Sequence, residues 1–290
     1  MEIEQIKSKQ KCYKRQMDTV SIDESGQVPI IRFKSVEKFP WVSLGFSTKF
    51  GGVSTGYLES LNLGWNQGDL RENVVENYKR IANSLHVDWK KIVLSDQVHD
   101  KVVKVVSEKE TTGEQFKKHL EGVDGLVTKE SGITLATSYA DCVPIFFIDQ
   151  VNKVIASSHS GWKGTVQKIG QETLRVMKEN FGTNPENVHV VIGPSICQDC
   201  YEVSKDVIEQ FQEAYKEEIY KDIFYPTKGD KYQLDMWAAI WHQLKDAGVK
   251  EENIFISGVC TCCNHKILFS HRKTQGKRGN LNGFMTIVGE

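Results

Sequence analysis

One thiol and two imidazoles stand at the ends of apolar segments of this chain. Cys142 precedes an apolar run in Ala140-Asp141-Cys142-Val143-Pro144, and His159 ends the next run, one strand, a turn and a second strand further on. His99 ends a third apolar run. Two imidazoles and one thiolate suit zinc and leave a fourth position for water or substrate. The sequence therefore predicts a metal site at His99, Cys142 and His159.

The same residues allow two other chemistries. A metal-free cysteine hydrolase would use Cys142 as nucleophile and His159 as base, which leaves His99 without a role. Copper could occupy the site, because copper outcompetes zinc for most ligand sets. A trinuclear copper centre, however, needs His-x-His pairs, and the eight histidines contain none. Of the remaining histidines, His271 is an unassigned further candidate, and five are interpreted as structural: His86, His119, His189, His242 and His265.

Short Val- and Ile-rich runs alternating with helical patterns must position these residues. The segments 134–139, 143–149 and 154–159 are predicted to be three adjacent strands. Helices are predicted over 73–85, 164–181, 204–220 and 235–248, and further strands over 41–48, 92–98, 102–106, 125–128, 188–193, 254–259 and 267–270. The absence of G-x-G-x-x-G and Walker sequences argues against a simple doubly wound nucleotide-binding fold. We predict an α/β fold, a single layered α-β sandwich domain with a mixed sheet over 29–290, preceded by a polar N-terminal arm over 1–28.

The overall composition is that of an ordinary globular protein. The chain has 290 residues, 39% of them hydrophobic and 26% charged, and its net charge is −1. A near-neutral balance without a run of Lys or Arg gives no electrostatic footprint for nucleic acid. No apolar stretch approaches the roughly 20 residues needed to cross a bilayer, and the charged N-terminus lacks the core of a secretory signal. We therefore expect no nucleic-acid or membrane partner and a cytoplasmic location.

Five of the seven cysteines fall in two groups. Cys197 and Cys200 form a C-x-x-C, and Cys260, Cys262 and Cys263 crowd a second place. Together they could hold a structural zinc ion. Alternatively, the thiols that end apolar runs pack as small buried groups. The sequence leaves a second metal site open, and Cys12, in a polar segment, carries no pattern.

Ordered motifs add a resemblance to a known family. They are Gly51-Gly52-Val53-Ser54, Leu61-Asn62-Leu63-Gly64, Gln97-Val98-His99, Ala140-Asp141-Cys142-Val143-Pro144, His159-Ser160-Gly161-Trp162-Lys163-Gly164, Gly193-Pro194-Ser195-Ile196, Tyr201-Glu202-Val203 and Cys260-Thr261. Over about residues 30 to 290 the chain resembles the laccase-domain family, first named polyphenol oxidases and later assigned as purine nucleoside phosphorylases with adenosine deaminase activity. The resemblance implies a layered α/β fold, a metal, usually taken as zinc, at the residues matching His99, Cys142 and His159, and substrates such as adenosine, inosine and methylthioadenosine.

The chain departs from the family pattern near its C-terminus. Where the family commonly has Ser-Tyr-Arg-Arg and a later Gly-Arg, this sequence has Ser270-His271-Arg272-Lys273 and Lys277-Arg278. The positive charge is retained, but a histidine replaces the tyrosine.

Deamination requires a water molecule made nucleophilic at neutral pH, which bound zinc can provide. It also requires a proton carrier, and Asp141 is the nearest carboxylate in sequence to Cys142. Asp141 could instead orient a metal-bound imidazole. We predict Cys142 and Asp141 as catalytic residues on this basis.

Phosphorolysis requires an anion site close to the ribose. Arg272 and Lys49 are the candidates for phosphate, with Gly51 and Gly52 allowing backbone amides to approach it; either cation could equally be a solvated surface charge. Asn62 could bind the ribose or the purine, or it could cap the turn Asn62-Leu63-Gly64. We predict a zinc enzyme that acts on purine nucleosides and phosphate, mainly by phosphorolysis and secondarily by adenosine deamination. The oligomeric state is not predicted.

Overall fold

The structure is a computed structural model that describes residues 15–117 and 120–289. The strands are β1 (Val20–Asp23), β2 (Ile30–Phe33), β3 (Val42–Ser47), β4 (Ile92–Asp96), β5 (Val103–Val105), β6 (Leu120–Glu121), β7 (Gly125–Thr128), β8 (Thr134–Tyr139), β9 (Val143–Asp149), β10 (Val154–Ser160), β11 (Val188–Ile192), β12 (Glu202–Ser204), β13 (Phe224–Pro226), β14 (Lys231–Leu234), β15 (Ile254–Ile256) and β16 (Leu281–Ile287). The α-helices are α1 (Arg71–Leu85), α2 (Trp162–Val166), α3 (Ile169–Phe181), α4 (Lys205–Ala214), α5 (Tyr220–Ile223), α6 (Met236–Asp246) and α7 (His271–Thr274).

Two mixed sheets form the centre of the molecule. The seven-stranded sheet has the order β1-β2-β3-β16-β8-β4-β6, and the six-stranded sheet has the order β15-β11-β9-β10-β7-β5. Parallel pairs flank antiparallel strands in both, for example β4 with β8 and β11 with β15. A small antiparallel sheet, β12-β14-β13, lies apart from them. The predicted α/β class is confirmed, with three sheets rather than one.

The alternation of side chains along β9 explains how the layers stack. Val143, Ile145 and Phe147 belong to the core between the six-stranded sheet and the helices α3, α4 and α6. Phe146 and Ile148 point to the opposite face, as strand geometry requires, and pack against the seven-stranded sheet. The helix α1 covers the outer face of the seven-stranded sheet. The architecture is thus helix, sheet, sheet, helices, which is a layered sandwich as predicted.

Two sheet predictions are wrong. Strand β8 was predicted beside β9, but it pairs with β16 and β4 in the seven-stranded sheet, because the chain crosses between the sheets at residues 140–142. Residues 267–270 were predicted as a strand, but they lie in a turn region that leads into α7. The central strand β16 was not predicted at all. It contains Asn282-Gly283, a pair that ordinarily signals a turn.

The helix predicted over 164–181 is interrupted. Helix α2 ends at Val166 and α3 begins at Ile169, and between them Lys168 adopts a left-handed conformation with φ of 60°. An α-helix cannot continue through that conformation. The helix predicted over 204–220 likewise ends early, at Ala214. The predictions over 73–85 and 235–248 correspond to α1 and α6.

The described part of the predicted N-terminal arm runs along the body of the protein. Strand β1 pairs with β2 as the edge of the seven-stranded sheet. The Asp18 amide donates to the Ile256 carbonyl, and the Ile256 amide donates to the Gln16 carbonyl. Residues 15–28 are therefore held by both sheets. Cys12 and His119 lie outside the described residues.

Candidate active site at the seam between the two sheets

The structure brings His99, Cys142 and His159 together. Their ligand atoms all lie within 4.8 Å of one another. Cys142 Sγ is 3.7 Å from His99 Nε2, and the two imidazole rings meet edge to face with centroids 4.8 Å apart. At bond lengths of about 2.0–2.3 Å, the ligand atoms of a tetrahedral zinc ion lie roughly 3.3–3.8 Å apart. The donor set and its spacing therefore fit a zinc ion.

The β9–β10 hairpin delivers two of these residues. In its register Pro144 lies opposite His159 and Val143 opposite Ser160, so Cys142 stands just beyond the paired region, on the same edge as His159. His99 arrives from the other sheet, on the loop that follows β4. Gly161 allows this approach, since a Cβ atom there would lie 2.6 Å from His99 Cδ2.

Asp124 organises the cluster, although the sequence did not single it out. Its carboxylate is 2.8 Å from His159 Nδ1 and accepts the amides of Val98, His99 and Asp100 at 3.0–3.1 Å. These three bonds hold His99 in a left-handed conformation with φ of 66°. With Nδ1 bound to Asp124, His159 presents Nε2 to the cluster, which is how proteins commonly orient a metal-binding imidazole.

The charges of the cluster support one another. Burial opposes ionisation of Cys142, but the imidazoles of His159 and His99 outweigh it and lower the pKa of the thiol to about 6. Burial likewise opposes protonation of His159, yet the Cys142 thiolate and Asp124 raise its pKa to about 9. Burial opposes ionisation of Asp124 too, but the hydrogen bond from His159 and the backbone amides hold its pKa below the ordinary value. Without a metal, neutral pH thus favours a thiolate beside an imidazolium.

Asp141 is buried next to Cys142 and has a left-handed conformation with φ of 84°. Its Oδ1 accepts from Thr261 Oγ1 at 2.6 Å, and its Oδ2 accepts from the Arg272 amide at 2.6 Å. The carboxylate therefore ties the start of β9 to the turn at Thr261 and to helix α7. Asp124, rather than Asp141, contacts the cluster imidazole.

A cavity of about 560 Å³ opens above the cluster, a size typical of small-molecule sites. His99, Cys142 and His159 lie in its lining, as do Asp141 and Arg272. The aromatic side chains of the lining are Trp65, Tyr78, Tyr139, Trp162 and Tyr201. Trp65, Trp162 and Tyr201 are partly exposed and can stack on a flat heterocycle, whereas Tyr78 and Tyr139 are buried.

Two arginines of the C-terminal region line the same cavity. The Arg272 guanidinium lies 5.1 Å from the centroid of the Tyr201 ring, and its Nη1 donates to the Cys200 carbonyl at 3.3 Å. Arg278 is half-buried; its Nη1 donates to Asn280 Oδ1, whereas its buried Nε has no hydrogen-bond partner among the described residues. Burial lowers the pKa of Arg278 from its ordinary value. His271 also lines the cavity, outside the three-residue cluster.

Lys49 and Asn62 lie outside the lining of this cavity. Lys49 Nζ donates to the His265 carbonyl at 3.3 Å, and burial lowers its pKa. The Asn62 side chain is fully buried, and its Oδ1 accepts the amides of Gly64 and Asn280. These are the contacts of a turn-capping residue. Asn62 thereby positions two residues of the lining without itself facing the cavity.

Sequence reasoning missed Asp124, Arg278 and the aromatic lining. The signal for Asp124 was slight: a single aspartate between Val123 and Gly125, at the start of a short strand. Arg278 was noted for its charge but not proposed as a site residue. The aromatic residues come from five separate segments, and only the tertiary structure groups them.

The fold and this site define a known class of protein. The chain belongs to the family described as multi-copper polyphenol oxidoreductase laccase, which matches residues 43–288. The laccase-domain resemblance seen in the sequence motifs is thereby confirmed.

Named relatives narrow the class further. "Purine nucleoside phosphorylase YlmD" of Bacillus subtilis is 37% identical over 247 residues, which are 84% of this chain and 88% of that protein. "Adenosine deaminase RL5" from an unknown prokaryotic organism is 35% identical over 231 residues, 79% of this chain and 87% of that protein. The crystal structure of YlmD from Geobacillus stearothermophilus superposes with a TM-score of 0.88 at 31% identity, covering 94% of this chain and 100% of that one. The chain thus belongs to a family of enzymes that includes proteins with these two names.

A membrane-spanning helix is not found in residues 15–117 and 120–289, where every helix is too short or too polar to cross a bilayer.

Proposed function

We propose that this protein is a zinc-dependent purine nucleoside phosphorylase with a second, adenosine deaminase activity. One observation carries the proposal: the His99–Cys142–His159 cluster lies in a cavity that aromatic side chains and two arginines also line. A purine nucleoside needs an aromatic surface, phosphate needs cations, and deamination needs activated water. The names of the relatives, purine nucleoside phosphorylase and adenosine deaminase, support the same substrate class.

In phosphorolysis the protein must hold phosphate beneath the ribosyl C1′ while the purine leaves. We assign the phosphate to Arg272 and Arg278. Arg272 offers a planar fork that its contact with Tyr201 keeps in place. Arg278 offers a buried Nε donor that lacks a partner among the described residues. An anion against the part of Arg278 that lines the cavity would offset the cost of burying its charge.

In deamination, bound zinc supplies Lewis acidity that makes water nucleophilic at neutral pH. His99, Cys142 and His159 would hold the ion, and Asp124 would keep His159 oriented toward it. Asp141 as the proton carrier remains a prediction. Its two hydrogen bonds, to Thr261 and to the Arg272 amide, favour a positioning role for this residue.

The test begins with the metal content of protein purified without added metal. Inosine and adenosine are then offered with and without phosphate, and the products are separated. We expect phosphate-dependent hypoxanthine and adenine, and phosphate-independent inosine from adenosine. His99→Ala should lose the zinc ion of the His99–Cys142–His159 cluster and both activities, whereas His86→Asn, a change of an exposed histidine at the end of α1 and outside the cavity lining, should retain them.

Two other outcomes would overturn the proposal. Full activity of a His99→Ala protein that has lost the ion of this cluster would exclude the metal mechanism and favour a hydrolase that uses Cys142 and His159. Stoichiometric copper with oxidation of a phenol, and no free base from either nucleoside, would favour a polyphenol oxidase.

A further inference from the structure

A second group of thiols lies on the helix-covered side of the six-stranded sheet. Strands β11 and β15 are parallel neighbours, so their carboxyl ends reach the same sheet edge. The chain after β11 carries Cys197 and Cys200, and the chain after β15 carries Cys260 and Cys263. An isolated bridge between Ser195 and Cys260 extends the pairing beyond the strands. Two C-x-x-C turns are thereby brought face to face.

The four sulfur atoms have the spacing of a metal site. All of them lie within 4.8 Å of one another, and Cys200 Sγ is 3.6 Å from Cys263 Sγ. In a tetrahedral zinc site with Zn–S bonds of about 2.3 Å, the sulfur atoms lie roughly 3.8 Å apart. Small shifts of side chains would bring the set to that geometry. Cys262, in the same turn, is outside the set.

Backbone amides point at the most buried sulfur. Cys260 is fully buried, and its Sγ accepts the amides of Cys197 at 3.3 Å and of Cys263 at 3.4 Å. Donors of this kind favour a thiolate over a thiol, as the surroundings of metal ligands commonly do.

We propose that Cys197, Cys200, Cys260 and Cys263 bind one zinc ion, separate from the His99–Cys142–His159 cluster. Four thiolates complete a tetrahedral shell and leave no position for substrate, which is the arrangement of a structural site. Soft thiolate ligands in this geometry select zinc or iron among the common metals.

The site would also brace the wall of the cavity. Thr261, between two of the ligands, donates to Asp141, and the Cys200 carbonyl accepts from Arg272. Tyr201, next to Cys200, lies against the Arg272 guanidinium. An ion that joins the two turns would therefore fix the residues that hold Arg272. This consequence for phosphate rests on the proposed function, whereas the zinc assignment does not.

The experiment measures zinc by elemental analysis and native mass spectrometry on protein purified under reducing conditions. The decisive variant is His99→Ala/His159→Ala, which removes the other cluster and should retain one zinc per chain. In that background Cys200→Ser should lose the ion, and Cys262→Ser should keep it. Cobalt in place of zinc should give the intense charge-transfer and visible bands of tetrahedral thiolate ligation. These readouts do not depend on whether the protein acts on nucleosides.

Three results would overturn the assignment: a His99→Ala/His159→Ala protein without zinc, a disulfide between any two of the four cysteines in the reduced preparation, or stoichiometric iron. If the variants fail to fold, the wild-type chain still decides. Alkylation of Cys197, Cys200, Cys260 and Cys263, located by peptide mapping, only after prolonged chelation supports the site, and alkylation of these four before chelation contradicts it.

Discussion

Gly161 is the residue at which the candidate metal cluster has the least room. Its φ of −71° is open to any residue, so sterics alone decide what can stand there. A Cβ atom would lie 2.6 Å from His99 Cδ2 and 3.4 Å from Cys142 Sγ. We expect Gly161→Ala to displace His99 and to weaken zinc binding by about tenfold or more. Competition with a chromophoric chelator measures the affinity.

Gly164→Ala is the matched control for this substitution. Gly164 lies in helix α2, and a Cβ atom there meets nothing closer than 3.4 Å. We expect this variant to keep the wild-type affinity. Equal zinc affinity of the Gly161→Ala and wild-type proteins would mean that His99 is not a ligand.

Asp124 gives a second prediction at the level of single residues. Asp124→Asn removes the negative charge that faces His159 Nδ1 and three backbone amides. We expect zinc affinity to fall by about 10–100-fold. Asp100→Asn is the control, because within residues 15–117 and 120–289 its carboxylate accepts only the neighbouring Lys101 amide. If Asp124→Asn binds zinc with the same affinity as Asp100→Asn and the wild type, Asp124 does not support the metal ligands.

The residues of the cluster could be predicted from the sequence because chemistry restricts them. Cys142 and His159 stand at the ends of consecutive apolar runs, and a β-hairpin brings such ends together. His99 was found through the same pattern. Asp124 could not be found in this way, since its importance comes from the loop at 98–100 folding around it, and many aspartates lie beside short strands.

At the level of elements, the two sheets approach each other closely at Gly283 of β16. A Cβ atom there would lie 2.4 Å from Cζ of the fully buried Phe146 in β9. We expect Gly283→Ala to lower the free energy of unfolding by about 1–3 kcal/mol through overpacking. Urea denaturation measures it.

Two further variants test the cause of that loss. Phe146→Leu combined with Gly283→Ala should be more stable than the sum of the two single changes predicts, because the smaller side chain relieves the contact. Gly289→Ala, where a Cβ atom meets nothing within 4 Å, should leave stability unchanged. Simple additivity in the double variant would refute the steric explanation.

Elements with strong periodicity were predictable, and so was the pairing of β9 with β10, but the place of β8 in the other sheet was not. Helices α1 and α6 follow from the spacing of their apolar residues. The break at Lys168 has no signal in the sequence, because lysine is an ordinary helix former. Strand β8 lies between β7 and β9, which are apolar segments like itself. The sequence of residues 140–142 contains no pattern that indicates a change from one sheet to the other.

The stability of the whole molecule should depend on pH through His189. Burial, with the charge of Lys38, lowers the pKa of His189 to about 3, whereas an unfolded histidine titrates near 6.5. Between those values the unfolded chain binds a proton that folded His189 does not, so stability falls as the pH falls below 6.5. From pH 7 to pH 5 the loss due to this group should be about 2 kcal/mol.

His189→Gln should remove that part of the loss, as measured by urea unfolding at both pH values. Phe255→Leu alters a ring that lies 4.6 Å from the His189 ring and introduces no titrating group. Phe255→Leu should lower the free energy of unfolding at both pH values, but the difference in that free energy between pH 7 and pH 5 should equal the wild-type difference. If the free energy of unfolding of His189→Gln falls between pH 7 and pH 5 by as much as that of the wild type, His189 is not the cause of the pH dependence.

The position of the His99–Cys142–His159 cluster between the two sheets also determines when it can form during folding. His99 follows a strand of the seven-stranded sheet, and Cys142 and His159 belong to the other sheet. A nascent or refolding chain that has formed either sheet alone possesses only part of the cluster. The four-cysteine group depends on neighbouring strands of one sheet, β11 and β15. The thiol group can therefore assemble once the six-stranded sheet has formed, whereas the candidate catalytic cluster becomes complete only when the two sheets pack together.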